Sequence, residues 1–326
     1  MLNSVIAATF AVLLDKMIGD PKWLPHPVIL IGKIISLFDQ KWNKGACRKI
    51  KGMLFLAILI LIVFIAAYAI LTAAYRIHPM IGIIIETVMI ATTIAQKGLK
   101  DAALNVYKPL ARGEINQARR DLSMIVGRDT EGLAEQEITR GAIETVAENT
   151  SDGITAPLFW AMVGGGPFAM IYRAVNTCDS MVGYKNKTYE QFGFASAKMD
   201  DILNWIPSRV TSLLMVIVNR PAAGQTRKAC WMVVKRDAKK HPSPNSGWGE
   251  TAVAALLGIQ LGGENRYQGV VSNRAVMGRK LVSLQKEHII KSIAIMNSTT
   301  IFFVMFLWVM TGLSLLIYNW MGVVLQ

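Results

Sequence analysis

Charged residues are scarce in this sequence. They make up 17% of its 326 residues, whereas an average soluble domain has about 25%. Cysteine is also rare, and none of the three cysteines lies in a CxxC spacing. The four histidines are scattered along the chain in the same way. These absences argue against a disulfide framework, a structural zinc site and a histidine-based metal site.

Several catalytic signatures are missing as well. The sequence contains no GxxxxGK[ST], no GxSxG and no HExxH. The "GK" at Gly32 and Lys33 lacks the upstream glycine that a P-loop requires. The P-loop NTPases, the nucleophile-elbow hydrolases and the HExxH metalloproteases are therefore excluded by motif.

The sequence contains long apolar runs without charged residues. Gly52–Tyr75 and the segment from Ser292 to the C-terminus contain no charged residue, and each is long enough to cross a bilayer core of about 30 Å. Met80–Ala95 is a third candidate span, interrupted only by Glu86. A carboxylate there is costly unless it faces protein, so Glu86 is either a helix contact or part of a site. The alternative is a large soluble core containing these helices.

The N-terminal apolar run lacks a basic leading region and ends in Asp15, so we expect it to be retained rather than cleaved as a signal peptide. The net charge of +13 follows a membrane pattern, because basic clusters adjoin apolar runs and mark the cytoplasmic side. No nucleic-acid partner is needed to explain it. The clusters are Lys41, Lys44, Arg48, Lys49 and Lys51, and Arg220, Arg227, Lys228, Lys235, Arg236, Lys239 and Lys240.

The middle of the chain has shorter, interrupted helical patterns. Thr130–Glu148 reads as a helix with Thr130 as its N-cap, and its polar face is either a solvated surface or part of a site. Gly153–Tyr172 is interrupted by Pro157 and by the "GGGP" that follows, and Ile202–Asn219 is interrupted by Pro207 and Arg209. Thr251–Gly263 is apolar but too short to cross. Such segments typically line an enclosed site.

The predicted fold is therefore all-α: a polytopic integral membrane protein with broken or re-entrant helices around a polar site. We find no internal repeat and no flexible linker, which favours one domain over 1–326. The segments Gln96–Glu148 and Arg220–Glu287 are expected on the cytoplasmic side.

Five polar clusters adjoin these helices: "VGRDT", "ENTSDG", "YRAVNTCDSMVGYKN", "KMDDILNWIPSRVT" and "KKHPSPNSGWGE". Asp152, Asp200 and Glu250 are expected near helix starts, where a carboxylate either caps the helix or holds Mg²⁺. Basic residues in the clusters suit phosphate or carboxylate binding; they are Arg128, Arg173, Lys198 and Arg209.

Together with "DPKWLPHPV" near the start, these clusters resemble the adenosylcobinamide-phosphate synthase family of cobalamin-biosynthesis membrane proteins. The matching motifs run in order from about Asp20 to Gly263. The departures are small: Cys178 replaces an aliphatic residue, Lys198 an arginine and Ala134 an acid. Lys198 weakens the case for bidentate anion binding at that position.

The resemblance implies a ligase that joins a carboxylate of adenosylcobyric acid to the amine of aminopropanol phosphate, or of aminopropanol, using ATP and Mg²⁺. It implies a multi-pass protein of the cell membrane with its site facing the cytoplasm, and other enzymes of corrinoid synthesis as candidate partners. A corrinoid transporter and a membrane regulatory protein are the alternatives. The candidate catalytic residues are Glu148, Asp152, Asp200 and Asp201, of which the three aspartates are also the candidate Mg²⁺ ligands. The candidate substrate-binding residues are Arg128, Asp129, Asn149, Ser151, Arg173, Asn176, Asp179, Lys198, Asn204, Arg209, His241, Asn245 and Glu250.

Overall fold

The computed structural model describes residues 1–19, 26–222, 224–267 and 269–324. It is predominantly helical, which confirms the predicted all-α polytopic class. The part of the first motif from Asp20 to Pro25 lies outside the described residues. The helices are α1 Leu2–Met17, α2 Pro27–Trp42, α3 Arg48–Ile77, α4 Pro79–Ala91, α5 Gln96–Ala111, α6 Ile115–Ser123, α7 Glu135–Thr150, α8 Ala156–Val182, α9 Phe194–Leu203, α10 Trp205–Val218, α11 Arg227–Asp237, α12 Ser246–Leu257 and α13 Glu287–Val324. The strands are β1 Gln260–Tyr267 and β2 Val270–Gly278.

Four helical segments are long and apolar enough to cross a membrane, and α9 with α10 would make a fifth if this bent pair is one span. Gly52–Tyr75 and Met80–Ala95 fall within these segments, and the predicted run that begins at Ser292 overlaps the last of them. The protein is therefore a membrane protein. The four segments are Arg48–Ile77, Pro79–Ala111, Glu135–Val182 and Glu287–Asn319.

The described chain forms two compact units. Unit 1 comprises 1–95, 153–204 and the chain from 304 onward, and unit 2 comprises 96–152 and 205–303. The single domain expected over the whole chain stays a prediction. Each unit has its own buried apolar side chains, so each is described by itself below.

The core of unit 1 is built where α3 packs against α8. Phe55, Leu59, Val175 and Phe192 are among its buried side chains. Gly52 is required at this contact, because a Cβ there would lie 1.9 Å from the Phe192 carbonyl oxygen. A glycine near the start of α3 thus allows close approach of the following segment.

Glu86 is a helix contact inside unit 1. The backbone of α8 leaves helical geometry at Gly164 and Gly165, where Gly165 has φ +70°. The N–H of Gly166 after the kink donates to Glu86 Oε1 at 3.1 Å, and the Tyr75 hydroxyl donates to Glu86 Oε2 at 2.6 Å. Because a kink frees backbone N–H groups that hydrocarbon cannot satisfy, this carboxylate stabilises the break.

The predicted interruption at "GGGP" is therefore confirmed, but the helix does not break at Pro157. Pro157 lies in the first turn of α8 and follows a π-helical turn, Ser151–Thr155, through which helical geometry continues from α7. Asp152 lies in that turn rather than at a free helix start, and Asp200 lies within α9 rather than at its beginning. Both placements near helix starts were wrong.

Unit 2 packs α5 against α6 and α7, and α12 against α7, α10 and α11. Helix α7 begins at Glu135 instead of Thr130, so Thr130 is not its N-cap. The side chain of Glu137 accepts from the backbone N–H of Ala134 at 2.8 Å and so satisfies one of the free N–H groups at this end. Glu137 therefore caps α7 and is more than a solvent-facing charge on its surface.

A two-stranded antiparallel sheet was not predicted. Helix α12 ends at Leu257, Gly258 adopts φ +70°, and β1 begins at Gln260, so the helical interpretation of Thr251–Gly263 fails beyond Leu257. Gly262 (φ +85°) lies at a register shift, where a Cβ would come within 2.3 Å of the Ala275 carbonyl oxygen. The hairpin brings its side chains against α7. The sequence does not predict this contact.

Candidate active site

A buried polar cavity of about 140 Å³ lies in unit 2. Helix α7 contributes Glu144 and Glu148, which are four residues apart and therefore share one face. Helix α12 contributes Glu250, and the hairpin contributes Tyr267 and Arg274. The other lining residues are Ile125, Val126, Gly127, Arg128, Gly141, Thr145 and Asn149.

One wall of the cavity is a buried ion pair. Arg128 Nη2 lies 2.8 Å from Glu144 Oε2, and both side chains are under 10% exposed. The guanidinium also donates to Asn265 Oδ1 on β1, while the Gly262 N–H donates to Glu144 Oε1 at 2.8 Å. Gly141 makes room for this pair, since a Cβ there would lie 2.5 Å from Arg128 Nη2.

The cavity also carries an acid–base group. Glu148 Oε1 accepts from the Ser246 hydroxyl at 2.8 Å. Glu250 Oε1 lies 3.5 Å from His241 Nε2, and Arg274 Nη1 lies 3.4 Å from the same ring nitrogen. Two carboxylates and an imidazole are thus gathered where solvent is largely excluded.

Burial sets the protonation of this group. Burial raises the pKa of Glu250 well above its usual value, and the nearby carboxylates of Glu144 and Glu148 raise it further. Burial also lowers the pKa of His241. Burial therefore favours the neutral form of both Glu250 and His241, and we take Glu148 as the candidate proton acceptor.

Unit 1 contains a separate polar cluster on α8 and α9. Asp200 Oδ1 accepts from Asn176 Nδ2 at 3.2 Å, and Asp200 Oδ2 accepts from Asn204 Nδ2 at 3.0 Å. Asn204 also accepts from the Tyr172 hydroxyl at 2.8 Å. Arg173 Nη1 donates to Asn176 Oδ1 at 3.4 Å. Asp200 and Asn204, four residues apart, thus share one face.

The remaining predicted residues have other surroundings. Lys198 pairs with Asp201 at 3.5 Å. Arg209 lies over the Trp205 and Trp248 rings, with its guanidinium carbon 4.3 and 4.8 Å from their centroids. Three further predicted substrate-binding residues are placed elsewhere in the two units. Asp129 accepts from the Gly269 N–H at 2.8 Å, Asn245 Oδ1 accepts from Arg209 at 3.4 Å, and Asp179 lies near the end of α8.

The predicted site residues thus fall into two groups. Arg128, Glu148, Asn149 and Glu250 line the unit 2 cavity, and His241 contacts Glu250. The candidate metal ligands are divided: Asp152 belongs to unit 2, and Asp200 and Asp201 to unit 1. Within the described residues, no three His, Cys, Asp or Glu side chains converge as a metal site. The catalytic, binding and metal roles assigned from sequence, including that of Ser151, stay predictions.

Sequence reasoning missed Glu144, Tyr267 and Arg274 as lining residues. Glu144 carried a signal, because it precedes Glu148 by four residues on the polar face of α7. Tyr267 and Arg274 carried none, since both depend on the hairpin.

Comparison with known proteins gives the family. Residues 8–296 match the family model described as CobD/Cbib protein. A relative from Halalkalibacterium halodurans is 54% identical over 308 residues, which cover 94% of this chain and 97% of the relative. A relative from Geobacter metallireducens is 46% identical over 275 residues, covering 84% and 86%. Both relatives are named cobalamin biosynthesis protein CobD. No solved structure matches. The resemblance drawn from the motifs is confirmed, and the chain belongs to the CobD/Cbib protein family.

Proposed function

We propose that this protein acts in cobalamin biosynthesis as an ATP-dependent ligase. It joins the propionate carboxylate of adenosylcobyric acid to the amine of (R)-1-amino-2-propanol phosphate, or of aminopropanol, and gives adenosylcobinamide phosphate or its unphosphorylated counterpart. The names of the relatives support the biosynthetic role. The observation that carries the reaction type is the polar cavity in which Glu148 and Glu250 lie beside His241.

The chemistry of amide formation fits this cavity. A carboxylate is a poor electrophile, and transfer of the γ-phosphoryl group of ATP to it gives an acyl phosphate and ADP. The amine nitrogen then attacks the carbonyl carbon, the C–O bond to phosphate breaks, and the amine loses a proton. That proton needs an acceptor within hydrogen-bond reach. Glu148 supplies one, and the negative charge of its carboxylate attracts an ammonium group.

The volume of the cavity supports the small amine as its occupant. At about 140 Å³ it is smaller than the roughly 300–1,000 Å³ typical of pockets for larger ligands. A small amino alcohol fits, whereas a corrinoid does not. We therefore place the amine inside and the corrinoid outside, with only its propionate arm reaching in.

Mg²⁺ remains part of the proposal. It binds proteins through one or two carboxylates together with substrate phosphates, so a preformed set of three acidic ligands is not required. Asp152, Asp200 and Asp201 stay the candidates. Asp200 fits such a role, because two amide groups fix the orientation of its carboxylate. When bound, Mg²⁺ would neutralise charge on the phosphates.

The reaction is tested with purified full-length protein, adenosylcobyric acid, ATP, Mg²⁺ and each amine in turn. We expect a new amide product with stoichiometric ADP and phosphate. Oxygen-18 placed in the substrate carboxylate should appear in the released phosphate, because one carboxylate oxygen leaves with it. Amide without labelled phosphate would overturn the acyl phosphate step alone. Corrinoid binding without any product would contradict the ligase and favour a transporter.

We also propose that the protein lies in the cell membrane with the unit 2 cavity on the cytoplasmic side, where ATP is available. The basic flanks support this orientation. In intact cells, cysteines introduced near Lys108 and Lys239 should resist a membrane-impermeant thiol reagent and react only after permeabilisation. A cysteine introduced by extending an external loop is the positive control. Efficient labelling of either position from outside would contradict the proposed orientation.

A further inference from the structure

A larger cleft in unit 2, of about 800 Å³, is rich in arginine. It lies beside α6 and the segment after it, and four of its lining residues are Arg119, Arg120, Arg128 and Arg266. Two acids, Asp129 and Glu131, also line it. We call this cavity the arginine cleft.

Two of these arginines are held in place without losing their charge. Arg119 donates through Nε to the Leu133 carbonyl at 2.9 Å and through Nη1 to Asn116 Oδ1 at 2.8 Å. Arg120 donates to Gln117 Oε1 at 3.1 and 2.6 Å. Their partners are neutral, and no described carboxylate lies within 4.0 Å of either guanidinium.

Arg266 Nε lies 3.7 Å from Glu264 Oε1, and Asp129 Oδ2 accepts from the Gly269 N–H. The cleft thus contains the carboxylates of Asp129 and Glu131 as well as the guanidinium groups. Among its arginines, Arg119 and Arg120 are the two whose partners are all neutral. Guanidinium groups held in this way match the geometry of phosphate oxygens.

Arg128 lines both the arginine cleft and the unit 2 cavity that contains Glu144, Glu148 and Glu250. We call the latter the carboxylate cavity. The Nη atoms of Arg128 donate to Glu144 and Asn265. The two cavities thus share one buried side chain.

We infer that the arginine cleft binds the polyphosphate chain of the nucleotide, with Arg119 and Arg120 as its main charge partners. This inference rests on the proposed ligase function. The chain has no P-loop, so the phosphates need another cationic site. The volume of the cleft suits a nucleotide better than the small amine phosphate. Because Arg128 lines both cavities, phosphates in the cleft would lie near the carboxylate cavity.

The test uses full-length protein and equilibrium dialysis with radiolabelled ATP and Mg²⁺, so that no ligase turnover is needed. The double variant R119Q/R120Q should weaken ATP binding by about 10- to 100-fold, because two charge-assisted contacts are lost. The control is Arg112→Gln. Arg112 is an exposed arginine of the same unit that lies outside the cleft. Its removal should leave ATP binding unchanged. Thermal unfolding of both variants checks that the fold is intact.

Competition identifies which phosphate compound binds. Inorganic tripolyphosphate should displace ATP, whereas aminopropanol phosphate and vesicles of anionic lipid should not. In the ligase assay the double variant should raise the KM for ATP and leave the KM for the amine unchanged. An effect confined to the amine phosphate, or displacement by anionic lipid, would overturn the assignment to a nucleotide.

The inference and the proposed function fail in different ways. If the folded double variant forms the amide and binds ATP with unchanged affinity, the assignment of the arginine cleft to ATP is contradicted and the proposed ligase function stands. If the double variant loses ATP binding and the wild-type protein forms no amide, the assignment of the arginine cleft stands and the proposed ligase function is contradicted.

Discussion

Replacing Glu148 with glutamine should slow amide formation by about 10²- to 10⁴-fold, the usual contribution of a general base. Glutamine preserves the size of the side chain and can still accept a hydrogen bond from Ser246, so the cavity should keep its shape. Glutamine cannot take a proton from the attacking amine. The expected result is a loss of kcat with little change in thermal stability.

Two neighbouring carboxylates are poorer candidates for this role. Burial and nearby carboxylates raise the pKa of Glu250, which favours its protonated form, and that form cannot accept a proton. Glu144 is occupied by Arg128 and the Gly262 N–H. Glu148 receives one neutral hydrogen bond, from Ser246, and it is partly exposed to the cavity.

The pH dependence separates a base from a structural residue. As the pH rises toward the pKa of the amine, more substrate is already neutral and needs a base only for the proton lost after attack, so the deficit of Glu148→Gln should shrink. Glu135→Gln is the matched control, because Glu135 lies on the same helix outside the cavity. A loss below about threefold, or a deficit that stays constant with pH, would contradict the assignment of Glu148.

The membrane helices could be predicted from the sequence because their signal is local. An uncharged run such as Gly52–Tyr75 has few structural alternatives at that length. Glu86 was recognised as needing a partner, but the partner could not be found from sequence. The N–H of Gly166 becomes available only because α8 kinks at Gly165, and α4 is brought beside it by tertiary packing.

Part of the candidate site was predicted because its signal is also local in the sequence. Glu148 and Asn149 are neighbours in the chain, and Glu250 belongs to a polar motif, so composition drew attention to all three. Their meeting in one cavity depends on the packing of α12 against α7. Arg274 reaches the cavity from a hairpin whose glycines permit turns and a register shift. Its position therefore could not follow from helical periodicity.

Replacing Arg128 with methionine should lower the free energy of unfolding by about 3 kcal/mol, near the lower end of the cost of breaking a buried ion pair. The methionine leaves the Glu144 carboxylate buried, and Glu144 is only 7% exposed. The Gly262 N–H and Arg140, whose Nε lies 3.8 Å from Glu144 Oε1, still offset part of the charge. This remaining compensation is why we expect the lower end of the range.

A double-mutant cycle tests whether the loss comes from the unpaired carboxylate. Adding Glu144→Gln to Arg128→Met removes the buried charge, so the double variant should regain about 1–2 kcal/mol relative to Arg128→Met alone. Arg112→Met, an exposed replacement of the same kind, should change stability by less than about 0.5 kcal/mol. Denaturant unfolding in mild detergent is measured for the full-length wild-type protein, Arg128→Met, Glu144→Gln, the double variant and Arg112→Met. Additive losses in the double variant would show that the two side chains are not coupled. A double variant that regains stability but not ATP binding would separate the ion pair from the second role of Arg128, at the junction of the arginine cleft and the carboxylate cavity.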